Sequence, residues 1–449
     1  MALQHQLLQD ERVDAHLIDV ETLNGIVTLS GSVDNLLAKD QAVQIAESIK
    51  GVRAIVNRIA VSPVIRPDNR IYEDVKAALM SDPVTFNYDI EVNVSNGIVN
   101  LSGEIKSWAA KQLAAQVVKG VVGIVGIENR ISINYDAKRF DYEIKKEIEG
   151  RLILDPYIDE NQISVKAKDG RVTLSGVVGS AAVKSRAYNK SWVLGVSSVD
   201  ISNLDVAWQE QDQMLRQSTI AIRTNERIKQ AVEEAFQYDP RVSHFHTVVA
   251  VENGTVTLVG TVDNLEAKRA AEEDALNTIG VWRVRNYLNV HMDNPPADSA
   301  IAQNVRSALK RDPVVERQDI DVKVTNRTVY LTGTVDSYYE RKRAADVASG
   351  EFGVVDVQNN LMVRHDRLPK SDREIKEDIE QEFFWSIFVD HDDVSVRVKD
   401  GTATLTGTVD NRQELKAAVE NAFEGGARRV RSRLTSRNGN ALYGEYDHP

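Results

Sequence analysis

One eight-residue phrase occurs six times in this chain and constrains everything around it. Asn24-Gly-Ile-Val-Thr-Leu-Ser-Gly31 returns as Asn96–Gly103, Asp169–Gly176, Asn253–Gly260, Asn326–Gly333 and Asp400–Gly407. The closing glycines keep a nearly fixed period that is lengthened once, between Gly176 and Gly260. Self-similarity at a fixed period means that the chain is copies of one unit. Function then lies in what the array does together, or where one copy departs from the others. A unit of about 70 residues is near the lower limit for folding alone, so neighbouring units are expected to support one another.

The second copy shows what the unit is. Ile71, Val75 and Leu79 recur every four residues before Asp82-Pro83, which predicts an amphipathic helix stopped by the proline. Ile90, Val92 and Val94 alternate with polar residues, as do Val99 and Leu101, so two strands meet at Asn96-Gly97 in a tight hairpin. Ser107 caps a second helix, Trp108 to Val122, ended by Gly123. Ile127, Ile131 and Ile133 then form a third strand. The order is helix, strand, strand, helix, strand, an αββαβ unit.

The other copies repeat this order, the first with a shortened opening helix. Six units are expected at 1–62, 68–135, 140–207, 224–292, 298–365 and 371–437, with a tail at 438–449. The doubled linker at 208–223, holding Trp208, Met214 and Leu215, divides the chain into halves of three units and is either a packing helix or a spacer.

These features together resemble tandem BON domains, a bacterial family. The resemblance rests on the unit order, the period, the N-G-x-V-x-L-x-G-x-V phrase and the glycine after the second helix, and it covers Met1 to about Arg437. It implies an α+β fold of six small αββαβ sandwiches, each with two helices on one face of a three-stranded sheet. It also implies non-enzymatic roles in envelope or stress maintenance, in phospholipid or membrane-surface binding, and in oligomer formation.

The repeated glycines have a backbone reading. Gly31, Gly103, Gly176, Gly260, Gly333 and Gly407 fall where a strand is expected to leave the sheet, and no glycine spacing matches a phosphate-cradling loop. Asn326-Arg327 breaks the turn rule, with the asparagine compensating. Asn57, Asn129, Asn286 and Asn359 share parity with apolar residues of the third strand, so their amides are expected to face the core and to tie down the hairpin or a helix end; a ligand is the other reading. Ser432 stands there in the last copy, and the third copy shifts register around Asn203.

Catalytic signals are weak. His244 and His246 share one face of an extended segment, a geometry open to a metal but present in one copy and more simply explained as surface or packing. His391-Asp392-Asp393 has no nucleophile beside it and reads as a solvated strand entry. No catalytic residue, cofactor or metal is expected.

The last copy departs most from the pattern. Phe383-Phe384-Trp385-Ser386-Ile387-Phe388 replaces the Asp-Pro helix end. Phe384 lies about 100° around the helix from Phe383 and Trp385 about 200°, so all three cannot face one small core. They pack on the fifth unit or fill the gap left by the proline, contact another subunit, or enter a lipid surface. Phe384, Trp385, Ile387 and Phe388, with Arg428, Arg429, Arg431 and Arg433 on the last strand, form the candidate interaction surface; the arginines read either as a solvated edge or as a site for an acidic surface.

The net charge of −12 argues against nucleic acid as a partner. The chain has no cysteine, and it opens without a basic region and apolar run, which places it in the cytoplasm as given, or in the periplasm if a signal was removed. A self-associating homo-oligomeric scaffold is the leading function, and a phospholipid or membrane-surface binder the alternative.

Overall fold

The computed structural model describes residues 2–13, 17–135, 139–155, 157–207, 224–364, 370–437 and 442–447. The linker at 208–223 lies outside the described residues. Six αββαβ units are present, each with a three-stranded sheet or an elaboration of one. The opening helices are Ala2–Gln9, Asp68–Ser81, Asp141–Ile153, Asn225–Tyr238, Asp298–Arg311 and Asp372–Trp385. The second helices are Leu36–Glu47, Trp108–Lys119, Ala181–Lys190, Leu265–Leu276, Tyr338–Ser349 and Arg412–Glu424. The second of these stops at Lys119 rather than Val122, capped by the Gly120 N–H bonding back to Gln116 and Val117.

Local chemistry starts every second helix in the same way. Asn35, Ser107, Ser180, Asn264, Ser337 and Asn411 each accept the N–H three residues on, satisfying a donor the helix cannot satisfy itself. The repeated phrase forms the central strand, antiparallel to the strand before it and parallel to the last, as in Val92↔Leu101↔Asn129. Its leucine, Leu29, Leu101, Leu174, Leu258, Leu331 or Leu405, is fully buried in every unit. Each such burial contributes roughly 1.5–3 kcal/mol.

Two sequence expectations change here. The second glycine sits within the central strand, which runs two residues further, as Gly407 does in Thr402–Val409. The φ of Gly407 is 127°, and a Cβ there would come 1.9 Å from the Asp393 carbonyl oxygen. Glycine is required because the neighbouring backbone approaches so closely. The strand-three asparagines lie at the margin of the core rather than within it, on the face that the second helix covers. Asn129, Asn286 and Asn359 are half-buried and donate to the carbonyls of Lys111, Lys268 and Arg341 at 3.0, 2.9 and 2.7 Å, tying the first turns of the second helices to the sheet. Asn57 is exposed and accepts from the Ile59 N–H. The third unit's last strand shifts register between Asp200 and Asn203.

The units do not form a linear stack. In the first half, the start of each second helix docks on the far end of another. Leu36 packs against the core of the second unit, and Lys119 pairs with Asp40. Trp108 stacks on Trp192 of the third unit, with ring centroids 5.3 Å apart. Ala181 enters the core of the first unit and donates to the Val52 carbonyl at 3.3 Å, which closes a ring of three. Two of these contacts recur in the second half, with Leu265 in the core of the fifth unit and Arg412 donating to the Trp282 carbonyl at 2.9 Å.

The two halves then meet unit to unit. Lys50 N–H donates to Trp385 O at 3.0 Å and Ile387 N–H to Ser48 O at 3.2 Å, joining the first unit to the sixth. Val122 N–H donates to Arg311 O at 2.8 Å, and Phe86 meets Phe352 edge-on, joining the second to the fifth. The Arg151 guanidinium lies 3.6 Å from the Tyr238 ring centroid, joining the third to the fourth. The three joints pair the first unit with the sixth, the second with the fifth and the third with the fourth.

Candidate interaction surfaces

An aspartate that the sequence marks only as a helix stop recurs at the end of the opening helix, beside the joints between units. Asp10, Asp82, Asp155, Asp239 and Asp312 all hold the same place in the repeat relative to the second glycine, where the sixth unit has Ser386. Asp10, Asp82, Asp155 and Asp312 are buried, and a buried carboxylate is costly unless paired. Asp155 takes Arg186 at 2.6 Å and Asp312 takes Arg343 at 2.6 Å, both from the second helix. Asp10 and Asp239 instead take the arginine two residues on, Arg12 and Arg241, at 2.5 and 2.6 Å. Arg12 also reaches Glu424 of the sixth unit at 2.9 Å. Asp82 accepts the N–H groups of Val84 and Thr85, and burial raises its pKa. The signal for this site was its recurrence in register, including Asp10, where no proline follows.

A second aspartate clamps the hairpin. Asp68 accepts both turn N–H groups, of Asn96 at 2.8 Å and Gly97 at 2.9 Å, and Asp141, Asp298 and Asp372 do the same in the third, fifth and sixth units. These bonds hold the Asp141 and Asp372 carboxyls below their ordinary pKa.

The aromatic segment of the sixth unit is placed within the chain. Trp385 packs against the core of the first unit, not the fifth. Phe388 meets Tyr157 of the third unit edge-on at 4.9 Å, and Ile387 is buried. Phe384 stays 48% exposed, with Lys50 over its ring and His391 against its edge. The segment differs from its counterparts in putting an aromatic ring against the core of another unit.

The arginine strand, Arg429–Ser436, is not a sheet edge. The tail contributes a fourth strand, Gly444–Asp447, antiparallel to it. The rows Lys399↔Thr402↔Arg429, Arg397↔Thr404↔Arg431 and Ser395↔Thr406↔Arg433 place five cations on the outer face of this sheet. Glu445 neutralises Arg431 at 2.7 Å. Arg428 is exposed beside the Asp400-Gly401 turn and does not belong to these rows.

Among the described residues, the one group of three side chains able to hold a metal is Asp390, His391 and Asp392, at the entry to the sixth sheet. His391 also faces Lys50 Nζ at 3.5 Å, a cation that opposes a metal there. His244 and His246 are exposed and belong to no such group. Among the described residues, no helix is long and apolar enough to cross a membrane.

Six small αββαβ sandwiches packed on one another define a multidomain protein of one repeated α+β unit. The BON domain matches residues 1–63, 67–135, 141–207, 224–292, 297–365 and 371–438, and the chain belongs to the BON-domain family. It is 33% identical over 140 residues to the osmotically-inducible protein Y of Escherichia coli K12, covering 29% of this chain and 69% of that protein. It is 33% identical over 135 residues to the outer membrane lipoprotein DolP of Haemophilus influenzae, covering the same shares. Among solved structures, it is similar to the C-terminal domain of CdsD, a structural protein of the type III secretion system of Chlamydia trachomatis. That likeness is 13% identical, covers 46% of this chain and 96% of the other, and has a TM-score of 0.13.

Proposed function

We propose that this protein is a non-enzymatic scaffold for stress response or envelope maintenance, self-associating through the sheets of its six-unit assembly. The observation that supports it is the orientation of the units. Their helical faces are used on one another, and one face of every sheet is left outward with two strand edges on most units, a repeated docking surface. The names of the relatives, one osmotically inducible and one an outer membrane lipoprotein, favour the cell envelope and so the periplasmic alternative. Light scattering across a concentration series tests the self-association. A rising mass is expected, whereas a constant 50.0 kDa overturns this part of the reading.

The cationic outer face of the sixth sheet favours a second reading, an anionic phospholipid surface as partner. Flotation with phosphatidylglycerol vesicles is expected to carry the protein, and the double variant Arg397→Glu, Arg433→Glu to lose it. Equal flotation with phosphatidylcholine vesicles would exclude headgroup charge as the cause.

A further inference from the structure

The three joints between the halves are copies of one another, which makes each a control for the other two. At the joint of the third and fourth units, next to the second, the side chains leave a cavity of about 490 Å³, within the range of small-molecule sites. Trp108, Arg151, Lys190, Tyr238 and Asp274 are among its lining residues. The place of Tyr238 in the repeat is held in the sixth unit by Trp385, which packs into the first unit instead of leaving space.

The charges are as particular to this joint as the space. One place near the end of the second helix is Ile45 and Asn421 in the first and sixth units, and Val117 and Val347 in the second and fifth. Here it is Lys190 and Asp274. These two do not close on each other: the nearest carboxylate to Lys190 is Asp155 at 4.0 Å. Asp274 Oδ2 and Arg151 Nε are sealed from solvent with no hydrogen-bond partner. A buried polar atom left so is destabilising, and more so when it is charged. Burial accordingly pushes the Asp274 carboxyl up to about 8 and lowers the Lys190 ammonium. Arg151 is otherwise committed, to Glu147 at 3.0 Å and to the face of Tyr238.

We propose that this junction binds a small zwitterion bearing an ammonium and a carboxylate. The ammonium meets Asp274, the carboxylate meets Lys190, and the aliphatic part lies against Trp108. One ligand thereby bridges Lys190 and Asp274 across the junction and fills the space that Trp385 fills at the equivalent joint. The inference is independent of the scaffold reading, since it concerns the interior of the assembly and not its outer sheets.

The test is calorimetric titration of the full chain with glycine, L-alanine and L-leucine, against n-butylamine and butyrate as single-charge controls. Saturable binding of at least one amino acid is expected, tighter than either control by about tenfold or more. Replacing Lys190→Val together with Asp274→Val installs the residues of the second and fifth units, so the fold is retained, as an unchanged circular dichroism spectrum would verify, and binding is expected to be lost. Three outcomes overturn the proposal: no heat from any of the three amino acids at about 10 mM, butylamine or butyrate binding as tightly as they do, or full binding by the double variant.

Discussion

Arg327 occupies a position where five of the six hairpins have glycine, and the backbone shows the cost. Its φ is 64° and that of Asn326 is 52°, so two consecutive side chains are held in the left-handed region. That conformation costs a residue with a Cβ roughly 1–2 kcal/mol. The asparagine tolerates it; the arginine does not, and its Nη1 is sealed without a partner. The clamp from Asp298 uses only backbone N–H groups and is indifferent to the side chain. Arg327→Gly is therefore expected to stabilise the fifth unit by about 1 kcal/mol, read as slower hydrogen exchange in Thr328–Val335. Unchanged or faster exchange would show that the arginine side chain is held by interactions that outweigh the strain.

At the scale of the element, the opening helix of the sixth unit ends in a joint rather than in a turn. Its start is ordinary, a capping box in which Ser371 and Glu374 bond each other's backbone. Its end has no proline, and the chain continues extended from Ser386, pairing with Ile49 of the first unit as an isolated bridge. Trp385→Ser removes an aromatic ring that bears on the first unit's core, and is expected to cost about 2–3 kcal/mol. The exposed protons should appear in the first unit's opening helix, Ala2–Gln9, which is shorter than its counterpart Asp372–Trp385 and has the least capacity to stand alone. Protection lost only within Asp372–Trp385 would mean that the ring serves its own unit and not the joint.

The molecule as a whole sets its two halves against each other, and this gives its stability a pH dependence. Glu382 is buried at the joint of the first and sixth units, accepts from Gln6 Nε2 at 2.6 Å, and leaves Oε1 without a partner. Burial, opposed by that bond and reinforced by Asp378 and Asp10, pushes its pKa to about 7. Burial raises Glu414, at the joint with the third unit, to about 7 as well. A carboxyl raised on folding contributes stability that is whole below its ordinary value near 4.5 and lost as pH rises through 7. Urea midpoints are accordingly expected to fall from pH 5 to pH 8, and Glu382→Gln to resist more urea than the parent at pH 8 with the advantage gone by pH 5. A variant weaker at both values would assign the carboxylate a pairing role instead. Because the joints run between the halves, residues 1–207 and 224–449 produced as separate chains are expected to form a one-to-one complex. Two halves that elute separately would locate the cohesion in the linker rather than in the joints.

Much of the unit was legible because its signals are local. A helix period ending at Asp82-Pro83, alternation across Ile90–Val94, and Asn96-Gly97 between two apolar runs each depend on residues within a few positions, and six copies in register multiplied a weak signal into a strong one. The grouping into threes was also visible, in the doubled interval before Ile228. The joints were not legible, because side chains that meet there are far apart in sequence: Trp108 with Trp192, Arg151 with Tyr238, Arg12 with Glu424, Trp385 with the first unit's core. Aromatic and charged residues that break the repeat announce a departure, but periodicity carries no information on which surface receives them. That was decided only when the helical faces of six units had to be buried, and the surfaces that cover them belong to other units of the same chain.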